Sequence, residues 1–218
     1  DIGVKVNIFS FSRTSLNLFQ DYNSLIEIYK IIRKLKPDII ISYTAKPVIY
    51  TGLILRFFKQ IRHYPLITGL GYYFIPKKSF KQKIIKYIII KLYREGLKNS
   101  KKIIFQNKDD QSLFSKFNII KDKKKTKIIN GSGVDLNAYP VSPIPSKPIF
   151  LMISRLLVDK GVREYVQAAK IVRSRFSNAI FQLAGFLDEN PAGISSNELK
   201  SWINKGDIQY LGKIKSVQ

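Results

Sequence analysis

Residues 148–172 read PIFLMISRLLVDKGVREYVQAAKIV. An apolar run ends in a loop holding Ser154, Arg155, Asp159, Lys160 and Gly161, after which Val162, Tyr165, Val166, Ala169 and Val172 recur at helical spacing. A strand that passes through a short polar loop into an amphipathic helix is the unit from which parallel sheets are built.

The same alternation runs outward in both directions. Upstream, apolar runs suited to strands lie at 4–9, 37–43, 65–68, 101–106 and 126–130, with helical periodicity at 23–35, 47–58, 80–98 and 109–117 between them. Downstream, strands are expected at 179–185 and 208–212, with a helix around 197–204. Residues 135–148 break the rhythm with Pro140, Pro143, Pro145 and Pro148, each lacking a backbone donor, and read as a linker. The expected architecture is α/β: two Rossmann-like, doubly wound parallel-sheet domains, over 1–134 and 149–218, both truncated.

Composition bounds the chemistry. There is no cysteine and one histidine, His63, so neither a thiolate metal site nor a multi-histidine cluster can form. His63 sits in QIRHYP, which reads as a surface loop at the edge of the sheet opposite the ligand-binding loops. Apolar runs such as 87–90 are interrupted by Lys86 and Lys91, far short of the roughly 20 residues that a spanning helix needs. The chain opens on Asp1 with no leader pattern, and its start reads as a cut.

Lys and Arg total 38 against 15 acids, a formal charge of +23, which favours polyanionic partners: nucleic acid, an anionic lipid surface or a phosphorylated substrate. Part of that excess also reads as compositional bias on solvated faces. The cluster KDKKKTK at 121–127 is a solvated turn before a strand. No nucleic-acid module signature is present, and nucleic acid is not an expected partner. The helix at 80–98 carries lysines among apolar and aromatic residues; it suits either a core helix with solvated lysines or a helix lying on an anionic membrane.

In an open parallel sheet, ligands gather beyond the carboxyl ends of the strands. The loop from Ser154 to Gly161 would lie there. Arg155, Lys160, the turn at Gly161 and the exposed amides of the following helix together favour an anion, most simply a diphosphate. The plainer alternative is two surface cations beside a helix cap at Asp159. Gly69 and Gly71, and Gly131 and Gly133, follow strands, yet Phe74 and Leu136 occupy the third glycine position of a dinucleotide fingerprint. Thr44 and Lys46 precede a helix entered through a proline and suit a hydroxyl or phosphate; a plain helix entry is the more common explanation. Asn107 reads as a helix cap, with Asp109 and Asp110 offsetting the dipole. No D-x-D triplet occurs, so a diphosphate would be neutralised by Arg and Lys rather than by a bridged metal.

Six segments, KPDIIISYTAKPVIYTG (36–52), ITGLGYYF (67–74), KKIIFQNKDDQSLF (101–114), INGSGVDLNAYP (129–140), SRLLVDKGVREYVQAAKIV (154–172) and QLAGFLDENPAGIS (182–195), in this order resemble the retaining glycosyltransferases of family 4. The resemblance is to the bacterial branch that builds capsular, O-antigen and N-linked oligosaccharides on a polyprenyl diphosphate lipid. It implies a GT-B fold with residues 135–148 as the hinge, residues 1–134 on the acceptor side and 149–218 on the nucleotide-sugar side.

It further implies that Arg155, Lys160 and Gly161 hold the donor diphosphate without a metal or other cofactor, and that Gly185, Lys213 and Ile214 lie near the nucleobase. Thr44, Lys46, Thr68, Gly69 and Gly71 would face the acceptor and the transferred sugar. The implied reaction is retaining transfer from a nucleotide diphosphate sugar, UDP-linked, to a polyprenyl-diphosphate-linked saccharide in surface polysaccharide synthesis. It would occur at the cytoplasmic face of an anionic bacterial plasma membrane. The alternative is a non-catalytic α/β module that binds a phosphorylated ligand or anionic surface.

Two departures qualify the resemblance. The family's glycine-rich opening loop and its acidic E-x7-E motif would lie upstream of Asp1 and beyond Gln218, so the chain alone is expected to be inactive. Where many members carry a histidine near the end of the strand expected at 65–68, this chain has Thr68 and Gly69.

Overall fold

The structure, a computed structural model, describes residues 3, 5–8, 18–69, 74, 79–188 and 192–214. The chain divides into two compact units, Asp1–Gly133 and Val134–Gln218.

In the first unit the order is α1 (Leu18–Leu35), β1 (Ile39–Tyr43), α2 (Ala45–Ile54), β2 (Arg62–Ile67), α3 (Phe80–Leu97), β3 (Ile103–Phe105), α4 (Lys108–Lys116) and β4 (Thr126–Ile128). The four strands form one sheet in the order β1-β2-β3-β4, every pairing parallel. Parallel neighbours need a crossover between them, and α2, α3 and α4 supply the three.

The core forms where these crossovers meet the sheet. Val48, Ile67, Tyr93, Phe105 and Phe114 are buried together, with the Tyr93 and Phe114 rings 5.0 Å apart, edge to face. Burying one such side chain contributes about 1.5–3 kcal/mol. Helices α2 and α3 approach through glycines: a Cβ on Gly52 would meet the Gly96 backbone, its Cα only 2.8 Å away, and one on Gly96 would lie 2.9 Å from the Ile49 carbonyl oxygen. Helix α4 starts at Asn107 as its sequence suggests, the Asn107 Oδ1 accepting from the Asp110 amide at 2.7 Å. Between α4 and β4, Lys123–Lys125 form an exposed 3-10 turn.

The second unit holds β5 (Ile149–Ile153), α5 (Val162–Arg175), β6 (Ile180–Ala184), α6 (Ser196–Asn204) and β7 (Gln209–Gly212). Its sheet runs β5-β6-β7, again all parallel. Val162, Val166 and Ala169 of α5 pack with Leu183, Leu199 and Trp202, so the stripe read from residues 162–172 is the buried face.

Two expectations change, and one expected strand lies at a sheet edge. Residues 5–8 form no strand, and Val6 and Ile8 are exposed; Val4 and Phe9 lie outside the described residues. An alternating pattern becomes a strand only where a neighbour completes its ladder, and β1 pairs with β2 alone among the described residues. The run at 149–153 is a strand, but an edge one: Phe150, Leu151 and Ile153 stay about half exposed because β5 has one described neighbour.

His63 is no surface residue. It lies in β2 at 2 % exposure, with Nε2 2.8 Å from Ser42 Oγ and Nδ1 3.2 Å from Ser100 Oγ. The helix-to-strand boundary falls earlier than the apolar run suggests, at Arg62, and alternation then turns His63, Pro65 and Ile67 inward.

Candidate functional site

In the second unit the parallel strands bring three loops to one sheet edge: the one after Ile153, the one after Ala184 and the one after Gly212. Arg155, Lys160, Gly161, Gly185, Lys213 and Ile214 all follow carboxyl ends of strands at that edge.

Backbone bonds build the first of these loops. Leu156 N–H donates to Phe186 O at 3.2 Å, and Val158 N–H donates to Ala192 O at 2.9 Å. A single turn of 3-10 helix, Val158–Lys160, then closes on Gly161, whose φ of 77° is the left-handed conformation that a β-carbon disfavours. Gly161 directly precedes α5, and no side chain caps that helix. Asp159 is therefore not the cap that the plainer reading assigned to it; the 3-10 turn carries it past the capping position. The first amides of α5 have no acceptor within the helix, which leaves partial positive charge beside the loop.

The cations differ in their commitments. Arg155 donates to Asp188 Oδ2 at 3.2 Å, with the arginine half exposed and the aspartate largely buried. Lys160 is exposed and forms no ion pair among the described residues. Arg163, in the first turn of α5, points away into a two-pronged pair with Glu198, at 2.8 and 3.0 Å. The loop is held from below by Tyr165, whose hydroxyl lies 2.8 Å from Phe150 O and 2.9 Å from Gln182 O, tying α5 to β5 and β6.

Gly185 has a packing reason of its own. At φ 155°, any Cβ there would collide with the Ser154 carbonyl, so the ends of β5 and β6 can meet only with glycine. Its carbonyl accepts from the Tyr210 hydroxyl at 2.8 Å. Lys213 Nζ stands 5.7 Å from the Phe186 ring, a cation facing an aromatic beside the same edge, and Ile214 is half-buried next to it. Sequence reasoning assigned no role to Asp188 or Phe186. Their signal is positional, since both follow the glycine that ends β6, the neighbour of β5.

In the first unit, β1 and β2 end side by side, Tyr43 opposite Leu66, which sets Thr44 beside Thr68 and Gly69 at the carboxyl edge. Gly71 lies outside the described residues. Thr44 has φ 67° and ψ 160°, a backbone region costing a non-glycine residue about 1–3 kcal/mol, and its side chain does not cap α2. Lys46 is half-buried and donates to Asp21 Oδ1 of α1 at 2.6 Å. Burial, and then the hydrogen bond to Asp21, push the Tyr50 hydroxyl well above the usual phenol range. Sequence reasoning assigned nothing to Asp21, which lies 25 positions from Lys46.

No group of three or more His, Asp or Glu side chains among the described residues could hold a metal ion. No helix among them is long and apolar enough to cross a membrane.

Residues 3–107 match the family described as glycosyl transferase 4-like. The chain is 29% identical, over 226 aligned positions, to the N,N'-diacetylbacillosaminyl-diphospho-undecaprenol alpha-1,3-N-acetylgalactosaminyltransferase of Campylobacter jejuni; the alignment covers 97% of this chain and 57% of that protein. It is 24% identical to the UDP-Gal:alpha-D-GlcNAc-diphosphoundecaprenol alpha-1,3-galactosyltransferase of Escherichia coli, over 78% of this chain and 46% of that one. The chain thus spans about half the length of the curated relatives it matches. In fold it is similar to the crystal structure of TarM, with a TM-score of 0.61 and 17% identity over 89% of this chain and 37% of that one. The parallel sheets and the order of their elements are those of a GT-B fold.

Proposed function

For this homologue of glycosyltransferases that act on undecaprenyl-diphosphate-linked sugars, we propose that the chain supplies the acceptor-side unit and part of the donor-side unit of such an enzyme. The substrates are a nucleotide diphosphate sugar, UDP-linked, and a polyprenyl-diphosphate-linked saccharide in surface polysaccharide synthesis. The enzyme works peripherally on the cytoplasmic face of an anionic membrane. Transfer retains the anomeric configuration and needs no metal, because fixed cations take up the charge that grows on the departing diphosphate.

The observation that carries this reading is the loop from Ser154 to Gly161. An exposed lysine with no carboxylate partner among the described residues, an exposed arginine and a left-handed glycine lie together where α5 begins. Each charge-assisted hydrogen bond to a bound phosphate is worth roughly 1.5–3 kcal/mol. Gly185, Lys213 and Ile214 border the nucleobase, with Phe186 as a stacking surface; Thr44, Lys46, Thr68, Gly69 and Gly71 border acceptor and sugar. Lys46 serves there indirectly, since Asp21 already engages it.

The test is transfer by the complete reading frame containing this chain, assayed over a panel of nucleotide sugars with a lipid diphosphate acceptor. Arg155→Ala and Lys160→Ala should each lower turnover by about tenfold to a thousandfold, the range for losing one stabilising donor. Unchanged rates would remove both from the site. The 218-residue chain itself, at half its relatives' length, should bind UDP yet transfer little. Binding of phosphorylated ligands with no transfer by the complete frame would instead make it a non-catalytic binding module.

A further inference from the structure

Helix α3 has two apolar faces, and the fold buries one of them. Ile90, Tyr93, Gly96 and Leu97 turn inward against α2 and the aromatic core. On the other side Phe80, Ile84, Tyr87 and Ile88 follow one another at helical spacing and are 77%, 46%, 61% and 48% exposed. Placing one face of a helix on a sheet normally leaves polar residues on the other. Here a stripe of four large apolar side chains faces solvent instead.

The border of that stripe is cationic. At 100° per residue Lys81 and Lys83 fall on its two flanks and Lys91 continues it toward the next turns; all three are exposed. No acid lies in the first turn of α3, and the helix's one carboxylate, Glu95 near its far end, is already paired with Arg56. Lys86, by contrast, is folded inward, its Nζ 4.4 Å from the Phe117 ring, and takes no part in the exposed face.

We propose that the Phe80–Ile88 face of α3 docks on an anionic lipid bilayer, with the four apolar side chains at the acyl boundary and Lys81, Lys83 and Lys91 at headgroup phosphates. A helix with aromatic and aliphatic residues on one face and lysines beside them matches an interface that is apolar below and anionic above. A second copy of the chain is a poorer occupant, because it would bring +23 against +23. The crossover from β2 to β3 must run back along the sheet, so the first turns of α3 lie toward the carboxyl edge, where Thr68 and Gly69 stand. Docking there would hold the acceptor-side loops against the surface from which a lipid-linked saccharide arrives. That last point rests on the proposed function, whereas the docking does not.

The experiment is sedimentation of the 218-residue chain with vesicles of phosphatidylcholine alone, or of two parts phosphatidylcholine to one part phosphatidylglycerol. The wild type should bind the mixed vesicles and leave the neutral ones. The double variant Ile84→Ser/Ile88→Ser keeps the net charge, and its partitioning should fall about tenfold or more, the loss expected from two side chains no longer buried in the membrane. Binding equal to wild type would mean that charge alone drives adsorption, and would overturn the proposal. So would a dimer in analytical ultracentrifugation that the same variant dissolves, since the face would then serve a second copy.

A Tyr87→Trp variant provides a readout that does not depend on weakening the chain: its emission should shift to the blue on mixed vesicles and be quenched by brominated acyl chains. Trp202, buried in the second unit, sets the background. An unquenched Trp at position 87 places the helix off the membrane and sinks the idea, whether or not sugar transfer has been demonstrated.

Discussion

Gly52 of α2 and Gly96 of α3 touch backbone to backbone, with no space between them for a methyl group. Such a contact transmits any added volume directly to two helices. Gly52→Ala should lower the unfolding free energy of the first unit by about 3 kcal/mol or more, the upper range for overpacking. Gly96→Ala should cost less, because its nearest contact is 2.9 Å from the would-be Cβ. Urea denaturation of both variants ranks them, and equal midpoints would contradict the packing described.

His63 supplies a pH dependence. Burial lowers its pKa from 6.5 to about 4, and the Ser42 and Ser100 hydroxyls engage both ring nitrogens in the neutral form. The unfolded chain therefore binds a proton near pH 6.5 that the folded chain accepts only near pH 4. Stability from this group is complete above pH 6.5 and is lost as pH falls toward 4, a total of about 3 kcal/mol. Urea midpoints at pH 7.5 and 4.5 should differ accordingly in wild type, and a His63→Gln variant should lose that part of the difference.

The Tyr93 hydroxyl is buried and has no hydrogen-bond partner among the described residues. Leaving a buried donor unmade costs about 1–3 kcal/mol, and removing it restores that amount without creating a cavity. Tyr93→Phe should thus raise the melting temperature by a few degrees, read by circular dichroism, while Tyr93→Ala should unfold the unit by deleting a ring that packs on Phe114. A lower melting temperature for Tyr93→Phe would show that the hydroxyl has a partner in solution.

Asp188 competes for the Arg155 guanidinium that the loop after β5 presents. Removing its charge while keeping its size should make the loop a better anion site, so Asp188→Asn is expected to tighten UDP binding by about threefold to tenfold. Calorimetric titration of the chain with UDP measures this. Weaker binding would mean that Asp188 positions Arg155 instead of masking it.

The alternation of apolar runs and helical stripes, visible in stretches such as 149–153 and 162–172, was enough to place the strands and helices of both parallel sheets, and the loop from Arg155 to Gly161 was legible as their junction. Those features are local: side-chain period and a glycine at a turn act within a few residues of chain. Asp188 beside Arg155, Asp21 beside Lys46 and Ser42 beside His63 were not legible, because each pair is separated by 21 to 33 positions and meets only through strand pairing or helix packing. The same limit applies to α3, whose sequence shows that it is apolar but not which side the core will take. Only the approach of Gly96 to α2 decided that, since burying one face of a helix against a neighbour commits the opposite face to whatever lies outside.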